Sequence, residues 1–493
     1  MRRSWLPLAL AAALVAGCAT VVNPVTGEAE RTVMDEPTEI AEGAKAHQQV
    51  LTEYGVYPNT KLQAYVNDLG QRLARSSHRA NLTWTFTVLD SPEVNAFALP
   101  GGYVYVTRGI MAYLDSEADL AGVIGHEIGH VTARHGAQRA TRQQTAGIGV
   151  FAASVLGAVL GVGDLASQVS QSVAAGYIAS YSRDQETQAD RLGAEYLARN
   201  RLDPEHMVGV IGVLKAQELF AIDEAKAQGR DAPQGADWLA SHPSNDQRLQ
   251  DLRAIVGAYK GPYDEEGRER YLKAMDGVTF SDSAQQGLVR GRNFYHEPLG
   301  IALSAPPGWQ VKNGAEAITL VNATGDAGLI VQLVPPAKGA KSAGTHEDII
   351  RQVIQPVQGQ VEKRSLNGLP ATHFVGVRQT AQGQQQRVTA TIVSGPKEQA
   401  YVMLYAAKDA AALQRNAAGL REAEASFRAF TAADRSAAKP WTVQVVPYPK
   451  GGFAALAQRS PLPAAGAERE LRLINGFYGG GEPKPGQSVK VVE

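Results

Sequence analysis

His126-Glu127-Ile128-Gly129-His130 is the stretch whose reading decides the rest of this chain. An α-helix turns about 100° per residue, so His126 and His130 lie about 40° apart on one face, one turn apart along the axis. Two imidazoles so placed can share one Zn²⁺ at about 2.0–2.1 Å. Glu127 stands between them in the chain, within reach of a water on such an ion and able to take its proton. The flanks suit a buried helix: Ala118, Leu120, Ala121, Val123, Ile124, Ile128 and Val131 are apolar, and Asp115 or Ser116 can cap it. Two histidines and a glutamate also coincide by chance in unrelated helices, so the motif needs a further donor elsewhere.

A catalytic zinc site takes three protein ligands and keeps one position for water. A third histidine ten residues after the first would fall on position 136, which is Gly136. His135 is close, but it lies about 180° from His126 around a continuing helix. That makes it a solvated or supporting histidine rather than a donor to the same ion. The later stretch Ser182-Arg183-Asp184-Gln185-Glu186-Thr187-Gln188-Ala189-Asp190 offers carboxylates instead. Glu186 and Asp190 are i and i+4 and share a helix face. Glu186 would reach the metal, and Asp190 would accept the free N–H of a liganding histidine and fix its tautomer. Taken alone, this stretch and Arg191 after it also read as a solvated charged face, with Arg183 and Asp184 on it.

Together, HEIGH and SRDQETQAD resemble the gluzincin family of zinc metallopeptidases that includes BepA, HtpX, the mitochondrial Oma protease and the CAAX prenyl proteases. Asn95-Ala96-Phe97-Ala98-Leu99-Pro100-Gly101-Gly102-Tyr103-Val104-Tyr105-Val106-Thr107 is similar to the strand pair before that family's zinc helix. Ser241-His242-Pro243-Ser244-Asn245-Asp246-Gln247-Arg248-Leu249 is similar to its late His-Pro…Arg element, and the four motifs stand in family order. The resemblance implies one Zn²⁺ per chain held by His126, His130 and Glu186, with Glu127 as general base and Asp190 behind a liganding histidine. It places His242 and Arg248 at the rim of the active site as further catalytic residues, facing the developing oxyanion. Some members suggest His242 as a fourth, inhibitory ligand; a surface histidine before a proline turn is the other reading.

The implied activity is zinc-dependent endopeptidase action on misfolded or stalled envelope proteins. Pro100-Gly101-Gly102 is a turn signal between two short runs, one of which can present an edge to an extended substrate backbone. Main-chain pairing reads little sequence, so the expected substrates are unfolded or extended polypeptides. A reading from another class is an outer-membrane protein assembly chaperone or adaptor with secondary proteolysis. A non-peptidase zinc hydrolase fits less well, because the His-Pro…Arg element accompanies peptidases.

With 493 residues the chain is too long for one ordinary core. A net charge of −1 and the lack of a basic cluster argue against a nucleic-acid partner. Arg2 and Arg3, a short apolar run and then Val15-Ala16-Gly17-Cys18 resemble a bacterial lipoprotein signal peptide, residues 1–17, with lipidation at Cys18. Ala19 after it favours the outer membrane, so the expected location is the periplasmic cell envelope, with the membrane reached through lipidated Cys18. Cys18 is the only cysteine, so an intramolecular disulfide is excluded.

Thr145 to Gly163 carries no charge and is long enough to span a bilayer. A single crossing there would put His126 and His130 on one side and Glu186 on the other. A glycine-rich helical hairpin over the active-site cleft, a lid within 145–181, fits better.

The expected fold class is α+β: a mainly helical zinc-protease domain with a small sheet at 18–260, then a charge- and Gly-rich linker at 261–291. The domain expectation rests on helical patterning over 39–76 and 245–259 and a strand at 84–89. Residues 292–433, with Gly300-Ile301 and Pro306-Pro307-Gly308-Trp309, resemble a PsbP/Mog-like α+β domain with a helix at 346–357. His296, His346 and His373 are isolated there and read as structural. Residues 441–493 resemble a LysM-like module whose usual Gly-Asp-Thr is replaced by Lys450-Gly451-Gly452. Peptidoglycan or an envelope assembly machine are the partners these regions suggest.

Overall fold

Ser116 starts the motif helix, Glu117–Thr132, by accepting from Asp119 N, while the Asp119 carboxylate returns to the Ser116 N–H. This reciprocal cap satisfies two of the amides that every helix start leaves open. The computed structural model describes residues 19–145, 181–227, 242, 246–314, 317–336, 343–379 and 385–493. Cys18 and the signal peptide, and residues 146–180 of the expected lid, lie outside the described residues. Among the described residues, no helix is long and apolar enough to cross a membrane.

The chain mixes helices with antiparallel and parallel sheet, an α+β architecture, and divides into two units. The described part of the first comprises residues within 19–145, 181–281 and 441–493. Its motif helix is buried along nearly its whole length and packs in the core that includes Leu69, Leu73, Val104, Ile124, Leu197 and Met207. Beside it lies a three-stranded sheet in which Tyr103–Thr107 is central, parallel to Thr85–Leu89 and antiparallel to Ala96–Leu99. Gly101 and Gly102 turn the chain with φ of +83° and +100°, a backbone that suits glycine, and a Cβ on Gly102 would stand 2.9 Å from Thr83 O. Ala96–Leu99 is thereby left as an edge of that sheet.

The helical stretch expected from 39 to 76 is two helices, Glu36–Tyr54 and Thr60–Arg75, parted at Gly55 with φ +72°. Larger differences lie further along. The stretch 261–291, expected as a linker, contains the helix Arg268–Met275, whose Tyr271, Leu272 and Met275 are buried. Its apolar residues recur at helical spacing within a charged segment, and the charges find partners: Arg268 pairs with Asp115 at 2.7 Å. The segment expected as a separate C-terminal module belongs to the first unit. Strand Trp441–Pro447 pairs with Thr279–Phe280 on one side and Ser488–Val492 on the other. Val443, Phe453, Leu471 and Val489 join the same core as the motif helix.

The second unit, within residues 282–440, is built on a seven-stranded antiparallel sheet. The helix expected at 346–357 stops sooner. Thr345 caps it, it widens to a π-turn over Ile350–Ile354, and Pro356 begins an eleven-residue strand. His346 is held by Thr372 and Ser394 hydroxyls, and His373 by Thr391.

Candidate metal centre

Four donor atoms converge inside the first unit, on His126, His130, Glu186 and His242, all buried. His126 Nε2 stands 3.0 Å from His130 Nε2 and 3.2 Å from His242 Nδ1. Glu186 Oε1 lies 3.0 Å from His242 Nδ1 and 3.4 Å from His130 Nε2. Donors about 2.0–2.1 Å from one ion at tetrahedral angles would stand roughly 3.3–3.4 Å apart. The cluster therefore has the dimensions of a zinc site, and its N₃O donor set is one that zinc takes. Facing imidazole nitrogens can share only one proton per pair, so a cation suits this arrangement better than hydrogen bonding does.

The polypeptide brings these groups together by two close contacts. His126 and His130 come from the motif helix, and Glu186 from the helix Arg183–Arg199, started by a Ser182–Gln185 capping box. At Gly129 the two helices touch, and a Cβ there would stand 2.9 Å from Ala189 O. The motif helix then breaks, because Arg134 takes a left-handed φ of +59°. Arg134 ends up 3.2 Å from Glu39 Oε2, while Arg79 donates to Glu39 Oε1 at 2.7 Å and to Val131 O at 3.2 Å. This buried Arg–Glu–Arg knot anchors the end of the helix.

Around the four donors each remaining group has a definite place. Asp190 Oδ1 lies 2.9 Å from His126 Nδ1, the geometry expected for a carboxylate behind a liganding histidine. Arg248 is not at a rim. Its guanidinium is buried, with Nε and Nη2 each donating to Asp190 at 2.8 Å and Nη1 2.7 Å from Glu186 Oε2. It also donates to His242 O at 3.1 Å. Glu127 is wholly buried, its Oε1 3.5 Å from His242 Nε2.

His135 does not project away from the site. The helix break returns it to His130, with Nδ1 to Nδ1 at 2.9 Å, and its Nε2 meets Gln188 Oε1 at 2.9 Å. Tyr181, which sequence reasoning passed over, stacks on His130 with ring centroids 3.9 Å apart. Its only sequence signal is its place immediately before the Ser182 cap.

The electrostatics follow from burial and pairing. Burial works against charge on Glu186, but His242, His130 and Arg248 outweigh it and hold the carboxyl well below its usual range. Asp190 is likewise held low, burial being overcome by Arg248 and His126. Burial pushes His130 down well below the ordinary histidine value and His135 to about 4, so both are neutral at physiological pH. Ionised Glu186 beside neutral His130 suits metal binding; at His126 burial is outweighed by Asp190 and Glu186, which raise its pKa.

Buried histidine and carboxylate donors, His126 and His130 on one helix and Glu186 on another, with Glu127 alongside, form a site that suits a single zinc ion. Residues 60–256 match the family model "Peptidase family M48". This part of the chain is similar to domains of that family, whose members are peptidases. The chain is 30% identical over 221 residues to the beta-barrel assembly-enhancing protease of Yersinia pestis, covering 43% of this chain and 42% of that protein. It is 31% identical over 199 residues to the protein of the same name from Escherichia coli strain K12, covering 39% and 38%. It is 31% identical over 217 residues to the mitochondrial metalloendopeptidase OMA1 of Schizosaccharomyces pombe, covering 42% of this chain and 58% of that one. The aligned region thus spans about 40% of the first two relatives' length. The solution structure of cyanobacterial PsbP (CyanoP) from Synechocystis sp. PCC 6803 aligns with 29% of this chain and 98% of its own, at 15% identity and a TM-score of 0.21. A likeness so slight carries no argument.

Proposed function

We propose that this protein is a zinc-dependent endopeptidase of the periplasmic cell envelope, lipid-anchored through Cys18 and cleaving extended or misfolded envelope polypeptides. The observation that carries the reading is the buried cluster of His126, His130 and Glu186 donors, with Glu127 adjoining it. Zinc held by those three side chains supplies Lewis acidity, polarising a carbonyl and acidifying water. Glu127 takes the proton of the attacking water and passes it to the leaving amine. Asp190 orients His126, and Arg248 aligns Asp190 and Glu186 together, a positioning role in place of the oxyanion contact first expected of it. The Ala96–Leu99 edge, packed beside the motif helix, pairs with the backbone of the substrate.

His242 Nδ1 stands 3.2 Å from His126 Nε2 and 3.0 Å from Glu186 Oε1, so His242 would serve as a fourth, inhibitory ligand in a resting state and would move aside for substrate. The PsbP/Mog-like region at 292–433 serves as a partner-facing part, toward an envelope assembly machine or peptidoglycan. Metal analysis with a casein-type cleavage assay, on the chain lacking residues 1–18, tests the proposal. One zinc per chain is expected, with cleavage lost in Glu127→Gln and basal cleavage raised in His242→Ala. Metal-free protein or full cleavage by Glu127→Gln would overturn it, and full cellular function from that variant would favour the chaperone or adaptor reading.

A further inference from the structure

The helix Arg183–Arg199 gives the centre more than Glu186. Three of its residues at alternate positions, Glu186, Gln188 and Asp190, face the two motif histidines by different routes. Asp190 meets His126 directly. Gln188 meets His130 through an intervening imidazole, that of His135. His130 presents Nε2 to the donor cluster, so its proton sits on Nδ1, the nitrogen that points to His135. His135 Nδ1 must then accept, which leaves the His135 proton on Nε2, aimed at Gln188 Oε1. Every hydrogen bond in this chain has one donor and one acceptor only if both rings are neutral and in those tautomers.

We propose that His135 and Gln188 are positioning residues for zinc, a neutral relay that locks the tautomer and ring orientation of His130 as Asp190 does for His126. The inference rests on the zinc reading above and deepens it. The two routes differ in charge. The Asp190 route brings a carboxylate balanced by Arg248; the His135–Gln188 route adds no charge to a centre that already holds Glu127 and Glu186. The relay also explains why the motif helix breaks where it does. Without the turn at Arg134, His135 would lie on the opposite side of the helix, and the His130 Nδ1–H would be buried with no acceptor.

An isosteric pair of variants isolates the hydrogen bond. His135→Asn puts an amide oxygen near the place of Nδ1 and keeps an acceptor for His130; His135→Leu has nearly the same shape and removes it. Zinc dissociation constants are measured by competition with a chromogenic chelator, together with the melting temperature of each metal-free protein and the visible spectrum of its cobalt form. His135→Leu is expected to weaken zinc about 10–100-fold, the range for loss of a group behind a metal ligand, and to alter the cobalt spectrum. His135→Asn is expected within about 3-fold of wild type, and Gln188→Leu between the two. Equal zinc affinities for His135→Leu and His135→Asn, or a loss matched by an equal fall in metal-free melting temperature, would overturn the relay. Failure of the wild-type chain to bind zinc would instead overturn the parent reading, so the two failures are distinguishable.

Discussion

Each of the two units buries a cluster of arginine, histidine and carboxylate, and the clusters differ in what their polar atoms face. In the second unit, Glu424 accepts from Arg364, Thr391 and Tyr405, while His373 Nδ1 meets Thr391 Oγ1 at 2.7 Å. Donor can meet acceptor in each of those contacts, and the Glu424 carboxylate is satisfied by protein donors, although Arg364 Nε is left without an acceptor. In the first unit, three imidazole nitrogens and a carboxylate oxygen face one another at 3.0–3.4 Å. Acceptors gathered on acceptors signal a cation; acceptors gathered on donors signal architecture. Composition alone does not separate the two, since both contain His, Glu and Arg.

The sharpest way to break the comparison is Glu127→Gln. If the first cluster is catalytic, kcat/KM for a peptide substrate falls about 10²–10⁴-fold, the contribution of a positioned general base. Zinc content and melting temperature stay near wild type. Arg248→Met comes next. It leaves Asp190 and Glu186 buried without their shared guanidinium, and zinc affinity is expected to fall about 10–100-fold, read by chelator competition. A variant that binds zinc as tightly as wild type would show that Arg248 positions nothing.

Glu424→Gln probes the other side. It removes the ion pair with Arg364 and one acceptor geometry, while the shape is kept. A loss of about 1–3 kcal/mol in stability is expected by denaturant titration, with zinc stoichiometry and cleavage unchanged. Altered zinc content in Glu424→Gln would erase the distinction between the clusters.

The sequence made the first cluster legible wherever spacing along one helix decides geometry. His126, Glu127 and His130 share a turn, and Glu186 and Asp190 share a face, so their relation follows from helical pitch. Glu186 and the motif were joined by resemblance, because no local rule says which distant helix meets them. The choice between a solvated and a supporting His135 stayed open because its position depends on the left-handed Arg134, which is held by Glu39 from nearly a hundred residues earlier. Arg248 was placed at a rim for the same reason: its burial depends on how Asp246–Gly257 packs against the Glu186 helix. The ordering of 261–291 and the merging of 441–493 into the first core were hidden likewise. Strand pairing between Thr279–Phe280 and Trp441–Thr442 spans the whole second unit, and nothing local announces it.

Lys490 supplies a third kind of buried polar site, and its effect is read only as a pH dependence of stability. It is fully buried, and its ammonium donates to the carbonyls of Ala112, at 2.9 Å, and Leu114. It belongs neither to a metal-type cluster nor to a direct ion pair, so burial dominates and lowers its pKa from 10.5 to about 8. Between these two values the unfolded chain binds more protons than the folded one, so Lys490 makes stability rise with pH across that window. The cost of burying the charge is fully present below about pH 8 and gone above 10.5. Its size is on the order of 3 kcal/mol from the shift. Urea unfolding of wild type and Lys490→Met at several pH values from 7.5 to 10 isolates the term, because other lysines and tyrosines titrate alike in both proteins. Wild-type stability should climb relative to the variant over that interval. Parallel curves would mean that the ammonium is as well solvated by the two carbonyls as by water, and that a lone buried charge here behaves like the satisfied network of the second unit.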